Sequence, residues 1–176
     1  MSEISRGRSE THDGDRHLLH FVVELPQPTP AVWAAVASPE GLPAWLCEAD
    51  PLEPRLGGRV TLRWLNSDTE VSGRVTAWDP DRVAEYTVGP THGRIRFHLE
   101  PGAGGGGSTV VRFTNEVRGS AEYRLDCLAG WHDHFERLAA ALDGRPTDWA
   151  SWSPERWRHL RELYERDAAP WPRWVP

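Results

Sequence analysis

Apolar and polar residues alternate along most of the middle of the chain, and this period of two gives way to a helical period before and after it. From His17 to Leu25 the run HLLHFVVEL reads as a first strand. Pro26, Pro28 and Pro30 end it. Thr29 followed by Pro30 is a cap-then-proline helix start, and Val32, Trp33 and Val36 follow at helical spacing. Ser38-Pro39-Glu40 repeats that signal, which predicts a second short helix ending near Trp45-Leu46.

Strands dominate next. Gly57-Gly58 is a turn, and residues 59–65 alternate Val60, Leu62 and Trp64 against Arg59, Thr61 and Arg63. Glu70 to Trp78 is a further strand, stopped by Asp79-Pro80-Asp81. Val83 to Val88 places Ala84, Tyr86 and Val88 on one face, Gly93 to Glu100 places Ile95, Phe97 and Leu99 together, and Thr109 to Val117 aligns Val111, Phe113 and Asn115. Short turns between strands of this regularity predict an antiparallel meander with one wet face.

A long helix is predicted over Ala121 to Leu142, where Leu128, Trp131, Phe135, Leu138 and Leu142 recur at threes and fours and Gly144 follows as a C-terminal stop. Pro146 to Trp152 reads as a linker. Ser153-Pro154-Glu155 starts a final helix with Trp157, Leu160, Leu163 and Tyr164 on one face, and Pro170 to Pro176 reads as irregular. The chain thus divides into a polar tail over 1–15, expected to be disordered, an α+β domain over 16–145, and an aromatic-rich helical extension over 146–176.

Composition narrows the function classes. A formal net charge of −6 disfavours non-specific nucleic-acid binding, which needs a basic footprint. No apolar run is long enough to span a membrane, and Met1 to Arg16 lacks the apolar stretch of a secretory signal. Two cysteines, Cys47 and Cys127, make no disulfide framework, so a reducing, cytoplasmic setting is expected. Ten tryptophans need either a core or a partner surface to cover them.

Four segments carry a family resemblance. VWAAVASPEGLPAWL (32–46) gives a helix pair ending in Trp, PRLGGRVTLRW (54–64) a Gly-Gly turn into a strand, SGRVTAWDPDRVAEYTV (72–88) a strand–Asp-Pro–strand hairpin, and AGWHDHFERLAAAL (129–142) a long helix. In this order they resemble the SRPBCC superfamily (START-like, Bet v 1-like) and, within it, the family named after activators of the heat-shock-protein-90 ATPase. The resemblance spans about residues 17–143. It implies a helix-grip fold, a curved antiparallel sheet around one long helix with a cavity between them. Its relatives include ligand carriers, cyclases and co-chaperones, so it implies no single reaction.

In such a cavity the large inward residues would be Trp45, Trp64, Tyr86, Phe97, Phe113, Trp131 and Phe135, which either fill a core or line a ligand site. Gly73, Val75, Ala77 and Ala84 would leave room beside them. Asn115, His132 and the phenol of Tyr86 are the polar candidates, each able to meet a ligand or to satisfy a neighbouring group. His132 and His134 are about 200° apart on a helix and so cannot share a metal; no metal and no cofactor is expected. The Gly-rich loop at 101–109 lacks the Lys of a phosphate loop, and no nucleophile–base–orienter set stands out, so no catalytic residue is assigned. The leading reading is a module holding a small apolar or aromatic ligand. A cyclase- or hydrolase-type enzyme using the same cavity and a protein-interaction module are the alternatives. The extension, with Trp149, Trp152, Trp157, Tyr164, Trp171 and Trp174, either folds back over the domain or covers a second subunit in a homodimer.

Overall fold

The computed structural model describes residues 3–168. In chain order the elements are β1 (Arg8–His12), β2 (Arg16–Leu25), α1 (Thr29–Ala37), β3 (Cys47–Leu52), β4 (Arg59–Trp64), β5 (Glu70–Asp79), β6 (Val83–Val88), β7 (Arg94–Pro101), β8 (Thr109–Arg118), α2 (Ala121–Leu142) and α3 (Glu155–Ala168). The strands form one sheet in the order β1-β2-β8-β7-β6-β5-β4-β3. Every neighbouring pair is antiparallel. β3 to β8 is a meander, and β2 returns to lie beside β8. The curved sheet grips α2, which is the helix-grip arrangement.

Alternation fixes the two faces. Phe97 pairs with Phe113 and Leu99 with Val111 across β7 and β8, and all four are buried. On the other face, Arg94 meets Glu116 at 2.8 Å and Arg112 meets Glu100 at 3.1 Å. Ser120 caps α2, its side chain accepting the Tyr123 N–H at 3.0 Å. Gly144, at φ 83°, lets the chain leave the helix in a conformation that a side chain would strain. The stripe of Leu128, Trp131, Phe135 and Leu138 is buried against the sheet. Each such large side chain contributes about 1.5–3 kcal/mol by leaving water.

The structure departs from the sequence reading in five places. Residues 8–12, expected to be disordered, form β1, paired with β2 from Arg8↔His20 to His12↔Arg16. Backbone pairing holds this polar edge strand, and His17 reinforces it, with Thr11 Oγ1 2.9 Å from Nδ1 and the Gly119 carbonyl 2.9 Å from Nε2. Ile4 ahead of it is buried, and Gly7 lies against the Phe21 ring, where a Cβ would be 2.4 Å from the ring edge.

The expected second helix is a single 3-10 turn, Leu42–Ala44. The strand β3 after it had no alternation to announce it, since Asp50-Pro51 interrupts it and its register shifts between Ala49 and Leu52. Thr29 belongs to α1 instead of capping it; Pro28 is the cap and makes no side-chain cap bond. Finally, a register shift in β5 between Val75 and Ala77 breaks the alternation. Ala77 therefore pairs with Glu85, on the other face from Val75, and leaves no space in the interior.

Candidate functional site

A cavity of about 220 Å³ opens at the end of the sheet, beside α2. The sheet supplies Trp64 from the end of β4, Ile95 from β7, and Asn115 and Val117 from β8. The β4–β5 turn adds Asn66, Ser67 and Thr69, and the turn before β7 adds His92. One flank of α2 supplies Tyr123, Cys127, Gly130, Trp131 and His134, which recur at threes and fours and so share a side. Trp157 of α3 completes the rim. A larger recess, about 570 Å³, lies between Glu3, Ile4, Pro26, Gln27 and the end of α2. It has no aromatic wall and holds none of the residues singled out in the sequence.

Two polar residues of the smaller cavity's lining stand out. The Trp64 ring stacks on His92, with centroids 5.5 Å apart and planes 26° from parallel. Its indole N–H is buried and has no hydrogen-bond partner among the described residues. A buried donor left unmet costs about 1–3 kcal/mol, so this atom favours an acceptor. The second group is His134. The Trp45 carbonyl lies 3.0 Å from its Nδ1, and since a carbonyl only accepts, Nδ1 carries the proton. Burial is the main force holding this imidazole neutral, its pKa pushed down to about 4 against a partial lift from the Trp45 carbonyl. Nε2 is therefore an acceptor at neutral pH. His92 is also shifted down by burial, and its Nδ1 is buried without a partner among the described residues.

The residues singled out in the sequence separate into three groups. Trp64, Asn115 and Trp131 line the cavity. Trp45, Tyr86, Phe97, Phe113 and Phe135 are closed core instead, each 1% exposed or less. Their rings interlock: Phe113 lies 5.0 Å from Phe135 and 5.2 Å from Phe97, and Trp45 stacks 6.0 Å from Phe135. The polar ends of this core are satisfied internally, Tyr86 donating to the Val36 carbonyl at 2.9 Å and Trp45 to the Ala35 carbonyl at 2.8 Å. His132 falls on the opposite flank of α2. Its Nδ1 lies 2.8 Å from the Tyr164 hydroxyl, which accepts the Gly7 N–H at 2.9 Å. His132 therefore joins α2, α3 and the N-terminal segment, away from the cavity.

The histidine that does reach the cavity is His134. The 200° separation between the pair already required opposite faces, but the sequence left open which one turned inward. His92 had no signal beyond a turn, and Trp157 lay outside the predicted domain. Nucleophilic chemistry finds no support in the cysteines. Burial raises the thiol of Cys47, and it raises Cys127 to about 12 despite the Tyr123 hydrogen bond, so both stay protonated at neutral pH. Among the described residues no group of three or more His, Cys, Asp or Glu could hold a metal ion, and no helix is long and apolar enough to cross a membrane.

The extension folds back on its own chain. Leu160 and Tyr164 are buried, and Arg156 forms a two-bond pair with Glu136 at 2.8 and 2.7 Å. Trp149 donates to the Pro43 carbonyl at 2.7 Å. Trp171, Trp174 and the irregular stretch expected from Pro170 lie outside the described residues.

Among solved structures, the chain is similar to EF2215, a conserved protein of unknown function from Enterococcus faecalis, at 15% identity over 92% of this chain and 89% of that one, with a TM-score of 0.69. It is similar to CalU16 from Micromonospora echinospora, seen by solution NMR, at 19% identity over 94% of each chain and a TM-score of 0.69. DynU16, from the dynemicin biosynthetic locus, matches at 21% identity over 73% of this chain and 48% of that one, with a TM-score of 0.61. These likenesses establish the fold. No curated protein matches the chain. The family model for activator of Hsp90 ATPase homolog 1-like proteins matches residues 27–143, and with the helix-grip architecture around α2 this places the protein as a member of that family.

Proposed function

We propose that the protein is a binding module for a small, planar aromatic molecule bearing a hydroxyl or similar polar group. The observation that carries this reading is the buried, unpartnered indole N–H of Trp64 in the wall of an aromatic cavity. Ligand sites combine apolar walls with a few placed polar groups. Here Trp64, Trp131, Trp157 and Ile95 are the walls. The Trp64 N–H, covered and unpartnered among the described residues, is the donor that a bound ligand would meet by displacing what covers it. His134, its Nδ1 engaged by the Trp45 carbonyl, offers Nε2 as the acceptor. An apolar cavity of about 150 Å³ accommodates benzene, so about 220 Å³ suits one or two fused rings. We propose that a ligand hydroxyl accepts from Trp64 and donates to His134. The shifted histidines serve recognition in this reading: a neutral imidazole offers an acceptor that an imidazolium lacks.

Calorimetric titration and thermal-shift measurements with phenol, 2-naphthol, naphthalene and decanoate test the reading. We expect 2-naphthol to bind and to raise the melting temperature, naphthalene to bind more weakly, and decanoate not to bind. Trp64→Phe keeps a ring over His92 and removes the donor. It should weaken 2-naphthol by about 3–10-fold, the worth of one hydrogen bond of roughly 0.5–1.5 kcal/mol, and leave naphthalene unchanged. If no aromatic probe binds, the proposed function fails.

A further inference from the structure

α3 lies beyond the stretch that the family model matches, residues 27–143, yet it contributes a side chain to the cavity wall. Trp157 stands at the rim, partly buried, and its indole N–H donates to the Asp126 carbonyl of α2 at 3.2 Å. It lies beside Gly130, where a Cβ would come no nearer than 3.9 Å to the indole nitrogen. One turn further along α3, Arg161 binds the Asp126 carboxylate through Nε at 2.8 Å and also pairs with Glu122. Residues four apart share a helix face. Asp126 is thus gripped twice, by Trp157 at its backbone and by Arg161 at its side chain, and this fixes how the indole lies against α2.

Other groups seat α3. Leu160 and Tyr164 are buried, Arg156 pairs with Glu136, and Tyr164 meets both His132 and Gly7. Trp157 adds to this seating through its bond to Asp126 and its packing on the core, and the same ring forms part of the cavity rim. We propose that Trp157 is the specificity-determining residue for ligand size, a wall supplied by the extension that closes the site around a one- or two-ring ligand. This rests on the cavity being the ligand site. A ring at the rim adds contacts to a ligand that just reaches it and excludes a larger one; removing it forfeits those contacts and admits the larger ring system.

The test measures the full chain and its Trp157→Ala and Trp157→Leu variants by fluorescence titration with 2-naphthol and 1-hydroxypyrene. We expect the wild type to prefer 2-naphthol. The alanine variant should shift the affinity ratio toward 1-hydroxypyrene by about tenfold or more, the scale on which pocket volume discriminates apolar groups. The leucine variant should fall between, and it supplies the comparison should the alanine variant lose α3 by circular dichroism. An unchanged ratio in a folded variant, with wild-type binding of 2-naphthol intact, overturns this inference and leaves the proposed function standing. Failure of the wild type to bind either probe overturns both.

Discussion

Asn115 Oδ1 accepts the indole N–H of Trp131 at 3.0 Å, a hydrogen bond from β8 to the middle of α2. The same amide donates through Nδ2 to the carbonyls of His92 and Arg94, each at 3.0 Å. One side chain therefore ties α2 to β8 and to the turn that carries His92 to the cavity. Replacing it with a leucine of similar size, Asn115→Leu, leaves the buried Trp131 donor unmet. Urea unfolding should show a loss of at least about 1–3 kcal/mol, the penalty for one buried polar group without a partner. A stability within experimental error of wild type would mean that Trp131 finds another acceptor.

Phe113 tests whether the interior behind the cavity is solid. It is 1% exposed, with ring centroids 4.4 Å from Trp131, 5.0 Å from Phe135 and 5.2 Å from Phe97. Phe113→Ala should cost about 3–5 kcal/mol in equilibrium unfolding, the range for a closed core. A cost near 1 kcal/mol would instead mark a ring facing a void.

His134 links stability to pH. Its folded pKa of about 4 lies below the ordinary 6.5, mainly because burial disfavours the charged ring. Between those values the unfolded chain binds a proton that the folded one does not. The contribution is therefore complete above pH 6.5 and is lost as pH falls toward 4, amounting to roughly 3 kcal/mol. Asp133, raised by burial, opposes this trend, and His132, lowered by burial, adds to it. His134→Asn retains a donor for the Trp45 carbonyl and does not titrate. Its unfolding free energy should vary less steeply than wild type over this window, as urea titrations at several pH values would show. Parallel curves would rule out His134 as the titrating group.

Removal of the extension is the broadest test of what α3 does. A chain stopped at Gly144 uncovers His132 and loses the buried Leu160 and Tyr164, each worth about 1.5–3 kcal/mol of burial. Its melting temperature should fall and its binding of an apolar dye should rise. A truncated chain matching the full chain in both measurements would show that α3 is a passive appendage.

The sequence by itself determined six of the eight strands, the long helix and which residues of these elements turn inward. Alternation at Ile95, Phe97 and Leu99 and the stripe at Leu128, Trp131, Phe135 and Leu138 are local periodicities, readable because each element must turn its apolar face one way. The tertiary structure decided what periodicity cannot carry. β1 is held by backbone hydrogen bonds to β2, to which side-chain polarity is blind. The shift after Val75 turned Ala77 outward, because one extra residue in a strand reverses the alternation beyond it. Inward parity assigned Trp64 and Phe113 to the same face, but only packing determined that Phe113 is enclosed by rings while Trp64 faces an opening. On α2 the helical period separated His132 from His134, but the choice of flank came from neighbours distant in sequence. Tyr164 took His132, and the Trp45 carbonyl took His134.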